Sequence, residues 1–187
     1  MADTQKKPVV LAFAGPNGSG KSTVANGLKA FGTYVNADDI KKENGLTDLE
    51  AAQQAELLRN SLIEKRLSFS FETVLSTDRN LKLLQKAKSM GYEVQCIYVL
   101  TCDENINVAR VKARHLSGGH DVPEDKVRSR YRKALMLLPR LIEVCDKLLI
   151  YDNTDIPYLI FSKNGKQMEI QSNMHWSEAE IRNLMKL

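Results

Sequence analysis

The segment that most constrains this chain is Gly15-Pro16-Asn17-Gly18-Ser19-Gly20-Lys21-Ser22, which satisfies GxxxxGK[ST] at every defined position. It follows the run Pro8–Ala14, PVVLAFA, whose unbroken apolar character suits a strand buried on both faces. It precedes a helical pattern from Lys21 to Ala30. A glycine-rich turn between such a strand and helix converges backbone N–H groups on phosphate oxygens at the positive end of the helix dipole. Gly15, Pro16, Asn17, Gly18, Ser19, Gly20, Lys21, Ser22 and Thr23 are therefore the expected nucleotide-binding residues. Lys21 is placed to reach the β- and γ-phosphates, and the Ser22 hydroxyl to ligate Mg²⁺, which makes ATP and Mg²⁺ the expected cofactors.

The remaining pattern alternates strands with helices. Strands are expected over Thr33–Asn36, Leu67–Phe71, Val94–Leu100 and Lys147–Tyr151. Between them, Asp48 can cap a helix carrying Leu49, Ala52, Leu57, Leu58, Leu62 and Ile63. Leu81–Met90 is an amphipathic helix closed by Gly91, and Asp103–His115 is another. After the turn Ser117-Gly118-Gly119, with His120 beside it, Pro123 opens a helix reaching about Val144. Tyr158–Ser162 and Lys166–Gln171 flank Asn164-Gly165, a strong hairpin signal, and a short helix over Ser177–Met185 follows. Met174, His175 and Trp176 beside it read as packing residues. The expected fold class is α/β: a doubly wound, mainly parallel sheet with helices on both faces, plus an antiparallel C-terminal hairpin at 158–171.

A chain of 187 residues suits one domain, 1–187. No stretch approaches the roughly 18 apolar residues of a membrane helix. Met1–Lys7 has no apolar core, which argues against a signal peptide and for a cytoplasmic location. Cys96, Cys102 and Cys145 are widely spaced without a CxxC, so reduced thiols are expected rather than disulfides or a zinc site.

Ligands of doubly wound sheets sit beyond the carboxyl ends of the strands. Two expected strands end in acids there, the second in Ala37-Asp38-Asp39 and the third in Glu72. Phosphoryl transfer to an alcohol benefits from a carboxylate that orients the hydroxyl and accepts its proton. Asp38 is the expected base, with a second role toward Mg²⁺ through water, and Asp39 is structural. Glu72 and Thr73 are expected acceptor contacts, and Asn36 is placed to orient the base.

The formal charge of +4 is unevenly spread. Eight cations against three acids between residues 110 and 133 give that segment +5 and leave the rest at −1. With Gly118 and Gly119 as a hinge, this is an expected basic lid over phosphates. Interleaved acids and a single local aromatic, Tyr131, argue against nucleic acid as the partner. Two alternatives remain beside a small-molecule kinase: a nucleic-acid end kinase, and an ABC-like or regulatory ATPase. The second is suggested by Leu116-Ser117-Gly118-Gly119-His120, close to LSGGQ, and by Leu148-Leu149-Ile150-Tyr151-Asp152, although Asn153 stands where a catalytic Glu belongs.

The stretches GPNGSGKST at 15–23, VNADDI at 35–40, FETVLS at 71–76, GGHDVPEDKVRSRY at 118–131 and the following LPRLIEVCDKLLIYDN resemble the zeta toxin family of P-loop kinases. The resemblance runs in order over about residues 8–170. It implies an ATP-dependent kinase acting on a small-molecule hydroxyl, similar to those that phosphorylate UDP-N-acetylglucosamine. It maps Lys21 and Ser22 onto the phosphate-loop lysine and hydroxyl, Asp38 onto the base, and Glu72 onto a substrate-contacting acid. Arg128 and Arg130 match the catalytic lid arginines, with Arg114 next as a nucleotide contact. The resemblance also allows an antitoxin as partner, which no residue of the chain itself calls for.

Overall fold

The computed structural model describes residues 7–25, 32–119 and 121–187. Its seven strands are β1 (Val9–Ala14), β2 (Thr33–Val35), β3 (Phe69–Thr73), β4 (Glu93–Leu100), β5 (Lys147–Asp152), β6 (Tyr158–Asn164) and β7 (Gln167–Ile170). They form one sheet in the order β2-β3-β1-β4-β5-β6-β7. Strands β1 to β5 pair in parallel, and β6 and β7 are antiparallel. From β1 the chain builds β2 and β3 to one side, then β4 and β5 to the other. That reversal opens a crevice beyond the carboxyl ends of the central strands.

Among the described residues the helices are α1 (Lys21–Ala25), α2 (Ala37–Asn44), α3 (Asp48–Glu64), α4 (Asp78–Ser89), α5 (Glu104–Leu116), α6 (Glu124–Met136), α7 (Leu138–Val144) and α8 (Glu178–Met185). The part of the expected first helix beyond Ala25 lies outside the described residues, as does His120. Alternate residues of β1 divide the core. Val10, Ala12 and Ala14 join Phe69 and Phe71 under Ala55 and Ile63 of α3, Leu81 and Leu84 of α4, Leu141 of α7 and Ile181 of α8. Leu11 and Phe13 face the other way, with Ile97 and Val99 of β4, against Val24 and Ala25 of α1. The period of two in a strand thus places helices on both faces, as the unbroken apolar run PVVLAFA requires.

Several local expectations are corrected. Thr47, not Asp48, caps α3: its hydroxyl accepts from Glu50 N and its own N–H donates to Glu50 Oε2, a reciprocal capping box. The buried stripe of α3 is Ala51, Ala55, Arg59, Leu62 and Ile63, while Leu49, Leu57 and Leu58 are exposed. The expected helix from Pro123 to Val144 is two helices, α6 and α7, parting at Leu137. Pro139 explains the break, since it has no N–H and its ring crowds the carbonyl four residues earlier. Ala37-Asp38-Asp39, expected only as the end of a strand, begin α2, capped by Asn36.

The C-terminal hairpin is no appendage, because β6 pairs directly with β5 and extends the sheet. Its turn is also shifted by one residue. Asn164 pairs with Gln167, so Gly165 and Lys166 are the central residues, with Gly165 at φ +60°. Trp176 packs against the core as expected, but Met174 is exposed and His175 bonds Asp155 through Nε2 at 2.7 Å. No described helix is long and apolar enough to cross a membrane.

The capping box gives a direct check. Thr47→Ala removes the acceptor for Glu50 N and is expected to cost about 1 kcal/mol. That corresponds to a melting temperature lower by about 2–4 °C for a chain of this size. Leu57→Ala on the exposed face of α3 should stay within about 0.5 kcal/mol. Thermal unfolding of both variants reads the difference, and equal shifts would contradict the burial pattern of α3.

Candidate active site

The phosphate loop leaves β1 at Ala14 and enters α1 at Lys21, between the carboxyl ends of β3 and β4. Gly15 N donates to Thr73 O at 3.2 Å, which ties the loop to the end of β3. Gly18 and Gly20 have φ of +76° and +86°. A Cβ on Gly18 would lie 2.4 Å from Asn107 O, and one on Gly20 would lie 2.1 Å from Asn153 Nδ2. These two glycines are required both by backbone conformation and by close approach.

The atoms they approach are a splint that the sequence reading missed. Asn107, buried on α5, donates from Nδ2 to Asn17 O at 2.6 Å. Its Oδ1 accepts from the Thr101 hydroxyl, and Thr101 O accepts from Tyr131 of α6 at 2.6 Å. Asn153, just past β5, donates from Nδ2 to Ser19 O at 2.8 Å. Arg110 in turn donates to Asn153 O and Thr154 O, both at 2.8 Å. In the sequence Asn153 stands out only as the residue where a catalytic Glu belongs in an ABC pattern. Nothing local marks Asn107, which reaches the loop across 90 positions of sequence.

Lys21 is buried at the head of α1. Its Nζ donates to Gly15 O at 2.9 Å and Pro16 O at 3.2 Å, and Glu72 Oε1 lies 3.8 Å away. Burial lowers its pKa to about 8; Glu72 and Asp38 oppose that shift and Arg114 adds to it. Asp38, Glu72 and Arg114 thus lie close enough for their charges to bear on one ammonium group. Asp38 is exposed in the first turn of α2, where Asn36 Oδ1 accepts from its backbone N at 2.9 Å. Asn36 therefore orients the acid through the backbone, and Asp39 stands beside it in the same turn. Tyr34, also missed, donates its hydroxyl to Glu72 Oε2 at 3.4 Å. Burial first, then the Glu72 charge, raises the Tyr34 pKa and keeps the phenol protonated.

Thr73 was expected to meet the acceptor, but its hydroxyl accepts from Leu75 N at 3.0 Å and Asn80 Nδ2 at 2.7 Å. These bonds hold the turn after β3. Ser22 and Thr23 are exposed in the first turn of α1. The Ser19 hydroxyl is buried without a partner. That orphaned donor, the glycine cradle and the lysine together fit a bound polyphosphate. Among the described residues no group of three or more His, Cys, Asp or Glu side chains gathers for a metal, so Mg²⁺ fits here only as an ion shared with the phosphates and the Ser22 hydroxyl.

Three cations of the basic segment are paired with carboxylates. Lys112 pairs with Glu124 at 2.7 Å, and Arg132 with Glu104 at 2.7 Å. Arg128, expected over the phosphates, is held by Glu124 at 2.8 Å, Glu104 at 3.2 Å and Asn105 at 2.8 Å. Arg130 instead reaches the phosphate loop, with Nη1 3.3 Å from Asn17 Oδ1. Two residues apart on a helix differ by about 200° around the axis, so the two arginines cannot face the loop together.

The ABC-like alternative loses both of its supports. Ser117-Gly118-Gly119 closes the C-terminus of α5, where Gly118 N donates to His115 O and Gly119 N to Arg114 O. That is the negative end of the helix dipole, which disfavours phosphate. Asp152 is buried, and its carboxylate accepts from Thr154 N at 3.1 Å, the Thr154 hydroxyl at 2.5 Å and Asn173 Nδ2 at 2.8 Å. It stabilises the turn after β5 rather than offering an oxygen to a metal.

A parallel sheet reversing at β1, with this loop at the reversal, defines a P-loop protein of the kinase-like type. The chain matches the Zeta toxin family over residues 2–164 and belongs to that family. It is 34% identical over 127 residues to an uncharacterized protein of Haemophilus influenzae, covering 65% of this chain and 91% of that one. Its fold is similar to a chain of the PezAT chromosomal toxin–antitoxin system of Streptococcus pneumoniae, with TM-score 0.60 and 18% identity over 97% of this chain and 84% of that one. It is also similar to a chain of the AvrRxo1-ORF1:-ORF2 complex with ATP, with TM-score 0.74 and 17% identity. That match covers 96% of this chain and 63% of the other.

The lowered Lys21 pKa makes ATP binding pH-dependent. The free protein loses the Lys21 proton as pH rises through about 8, whereas phosphates hold the ammonium charged. ATP affinity should therefore fall above pH 8, by about tenfold per unit at most, with a proton taken up on binding. Calorimetry in buffers of different ionisation heat measures that uptake. Heats independent of buffer above pH 8 would contradict it.

Proposed function

We propose that this protein transfers the γ-phosphate of ATP to a hydroxyl of a small molecule. The observation that carries this reading is Glu72 Oε1 at 3.8 Å from Lys21 Nζ at the phosphate loop, with the Asp38 and Arg114 charges near enough to act on the same ammonium. A phosphate-binding cation with carboxylates close to it is what alcohol phosphorylation needs. The likeness to a structure containing ATP supports the choice of nucleotide.

Lys21 and the loop amides hold the triphosphate, and Ser22 would hold Mg²⁺ against it, where the ion would neutralise charge on the β- and γ-oxygens. Asp38 orients the acceptor hydroxyl and receives its proton. Glu72, held by Tyr34, binds a second polar group of the acceptor. Arg114 and Arg130 bear on the phosphates from α5 and α6, while Arg128 braces those two helices to each other. UDP-N-acetylglucosamine or a related nucleotide sugar is the acceptor suggested by family membership. An antitoxin as partner rests on the PezAT likeness and on family membership alone.

The test is transfer of labelled γ-phosphate from ATP into a panel of nucleotide sugars, nucleosides and oligonucleotides. Label should enter a small alcohol, and free phosphate alone across the panel would overturn the reading. Asp38→Asn should keep ATP affinity and lower transfer by about 10²–10⁴. Arg130→Ala should slow transfer more than Arg128→Ala, whose effect should fall mainly on thermal stability. Equal transfer rates in Asp38→Asn and the parent would remove Asp38 from the chemistry.

A further inference from the structure

The segment that follows β7 turns back to the end of β5, and phosphate transfer leaves that contact without a task. Gln171 N donates to Ile160 O at 2.9 Å, which keeps the segment beside β6. Asn173 Oδ1 accepts from His175 N at 2.9 Å and from Trp176 N at 2.8 Å. Asn173 N donates to Trp176 O at 3.0 Å, so residues 173–176 form a closed turn. Trp176 packs that turn against the core. Two side chains leave it toward the turn after β5. Asn173 Nδ2 donates to Asp152 Oδ2 at 2.8 Å, and His175 Nε2 lies 2.7 Å from Asp155 Oδ2. Residues 171–176 lie beyond 2–164, the stretch that matches the family.

What these side chains hold is the turn that grips the phosphate loop. Asp152 is 2% exposed, and its two oxygens divide their work. Oδ1 accepts from Thr154 N and the Thr154 hydroxyl, and Oδ2 accepts from Asn173. The Thr154 hydroxyl in turn accepts from Cys102 N at 3.0 Å, at the end of β4. Between Asp152 and Thr154 stands Asn153, whose Nδ2 donates to Ser19 O and occupies the space a Cβ on Gly20 would need. A buried carboxylate that loses one donor is left with an unsatisfied oxygen, and the turn must move for water to reach it. That motion draws Asn153 off the Ser19 carbonyl. Loop N–H groups bind phosphate best when little ordering remains to be done, so the cost of such a motion falls on the nucleotide.

We propose that residues 171–176 are a clasp on the phosphate loop, with Asn173 as its positioning residue: through Asp152 it sets Asn153 against Ser19 O and so sets the affinity for the nucleotide's phosphates. The proposal rests on nucleotide binding at the loop and not on transfer to an alcohol. The two ends of the Asn173 amide separate this role from plain packing. The tail needs only the acceptor, Oδ1, to keep its own turn, whereas Asp152 needs the donor, Nδ2. Asn173→Asp therefore keeps the tail's turn and sets a second carboxylate against Asp152. Adding Asp152→Asn restores that bond with donor and acceptor exchanged, while Oδ1 of residue 152 still accepts from Thr154.

The test uses the full chain, labelled with ¹⁵N in asparagine, with Mg·ADP as the probe and all measurements made well below the melting temperatures. Asn173→Asp should weaken Mg·ADP binding by about tenfold, and the double variant Asp152→Asn/Asn173→Asp should recover most of that loss. In the nucleotide-free protein the Asn153 Nδ2 signal should exchange with solvent faster in Asn173→Asp and return to the parent rate in the double variant. Thr47→Ala, which weakens α3 away from the loop, should lower the melting temperature and leave both readouts unchanged. Should Asn173→Asp fail to fold, Asn173→Ser keeps a short acceptor for the tail without reaching Asp152 and carries the same comparison. Parent affinity in a folded Asn173 variant, an unchanged Asn153 signal, or no recovery in the double variant overturns the proposal. A parent chain that does not bind Mg·ADP overturns the nucleotide reading and the proposal with it. The expected responses without transfer to any alcohol keep the clasp and remove the kinase reading instead.

Discussion

The structure depends on how closely the phosphate loop can approach the protein behind it. The loop carbonyls of Asn17 and Ser19 are gripped by Asn107 and Asn153, and the glycines beside them leave no room for a side chain. The grip requires α5 and the turn after β5 to converge on one loop. Both of those are fixed in turn: Asn107 by Thr101 and Tyr131, Asn153 by Arg110. A loop held this way presents its N–H groups to phosphate before the ligand arrives, so little ordering remains to be done on binding. The Lys21 ammonium bonds the loop carbonyls of Gly15 and Pro16, and its burial there lowers its pKa to about 8.

The basic segment shows why a local charge sum is a poor guide to what a surface offers. Within the segment Glu124 engages Lys112 and Arg128, and Glu104 from outside it engages Arg128 and Arg132. Arg110 faces inward to backbone carbonyls. Arg130 is the one of these that reaches the loop, at Asn17, and helical phase turns it there. Exposed pairs of this sort add little stability singly, but they set the packing of α5 on α6 and so the direction in which Arg130 points.

Much of the fold was legible because its signals are short-range. The strand periods, the closure of α4 at Gly91 and the glycine-bearing hairpin turn each depend on a few neighbouring residues. The corrected elements depended on competing local choices: Thr47 against Asp48 as cap, Pro139 against a continuous helix, Gly165 against Asn164 as the first turn residue. The leucines of α3 misled for a different reason. Alanines at 51 and 55 let the helix lie close to the sheet, so the small residues define the buried face and Leu49 and Leu57 turn outward.

By itself the sequence determined the sheet class, the phosphate loop and the acids at the ends of β2 and β3, since each is carried by contiguous residues whose conformation is set locally. Only the tertiary structure decided which arginines reach the loop, which side chains brace it, and that Thr73 serves a turn. It also decided that Arg59, an ordinary position in a helical pattern, is a buried cation over Phe71. These are matters of direction and distance between elements far apart in the chain. They follow from how the helices settle on the sheet, a packing outcome no local stretch of residues encodes.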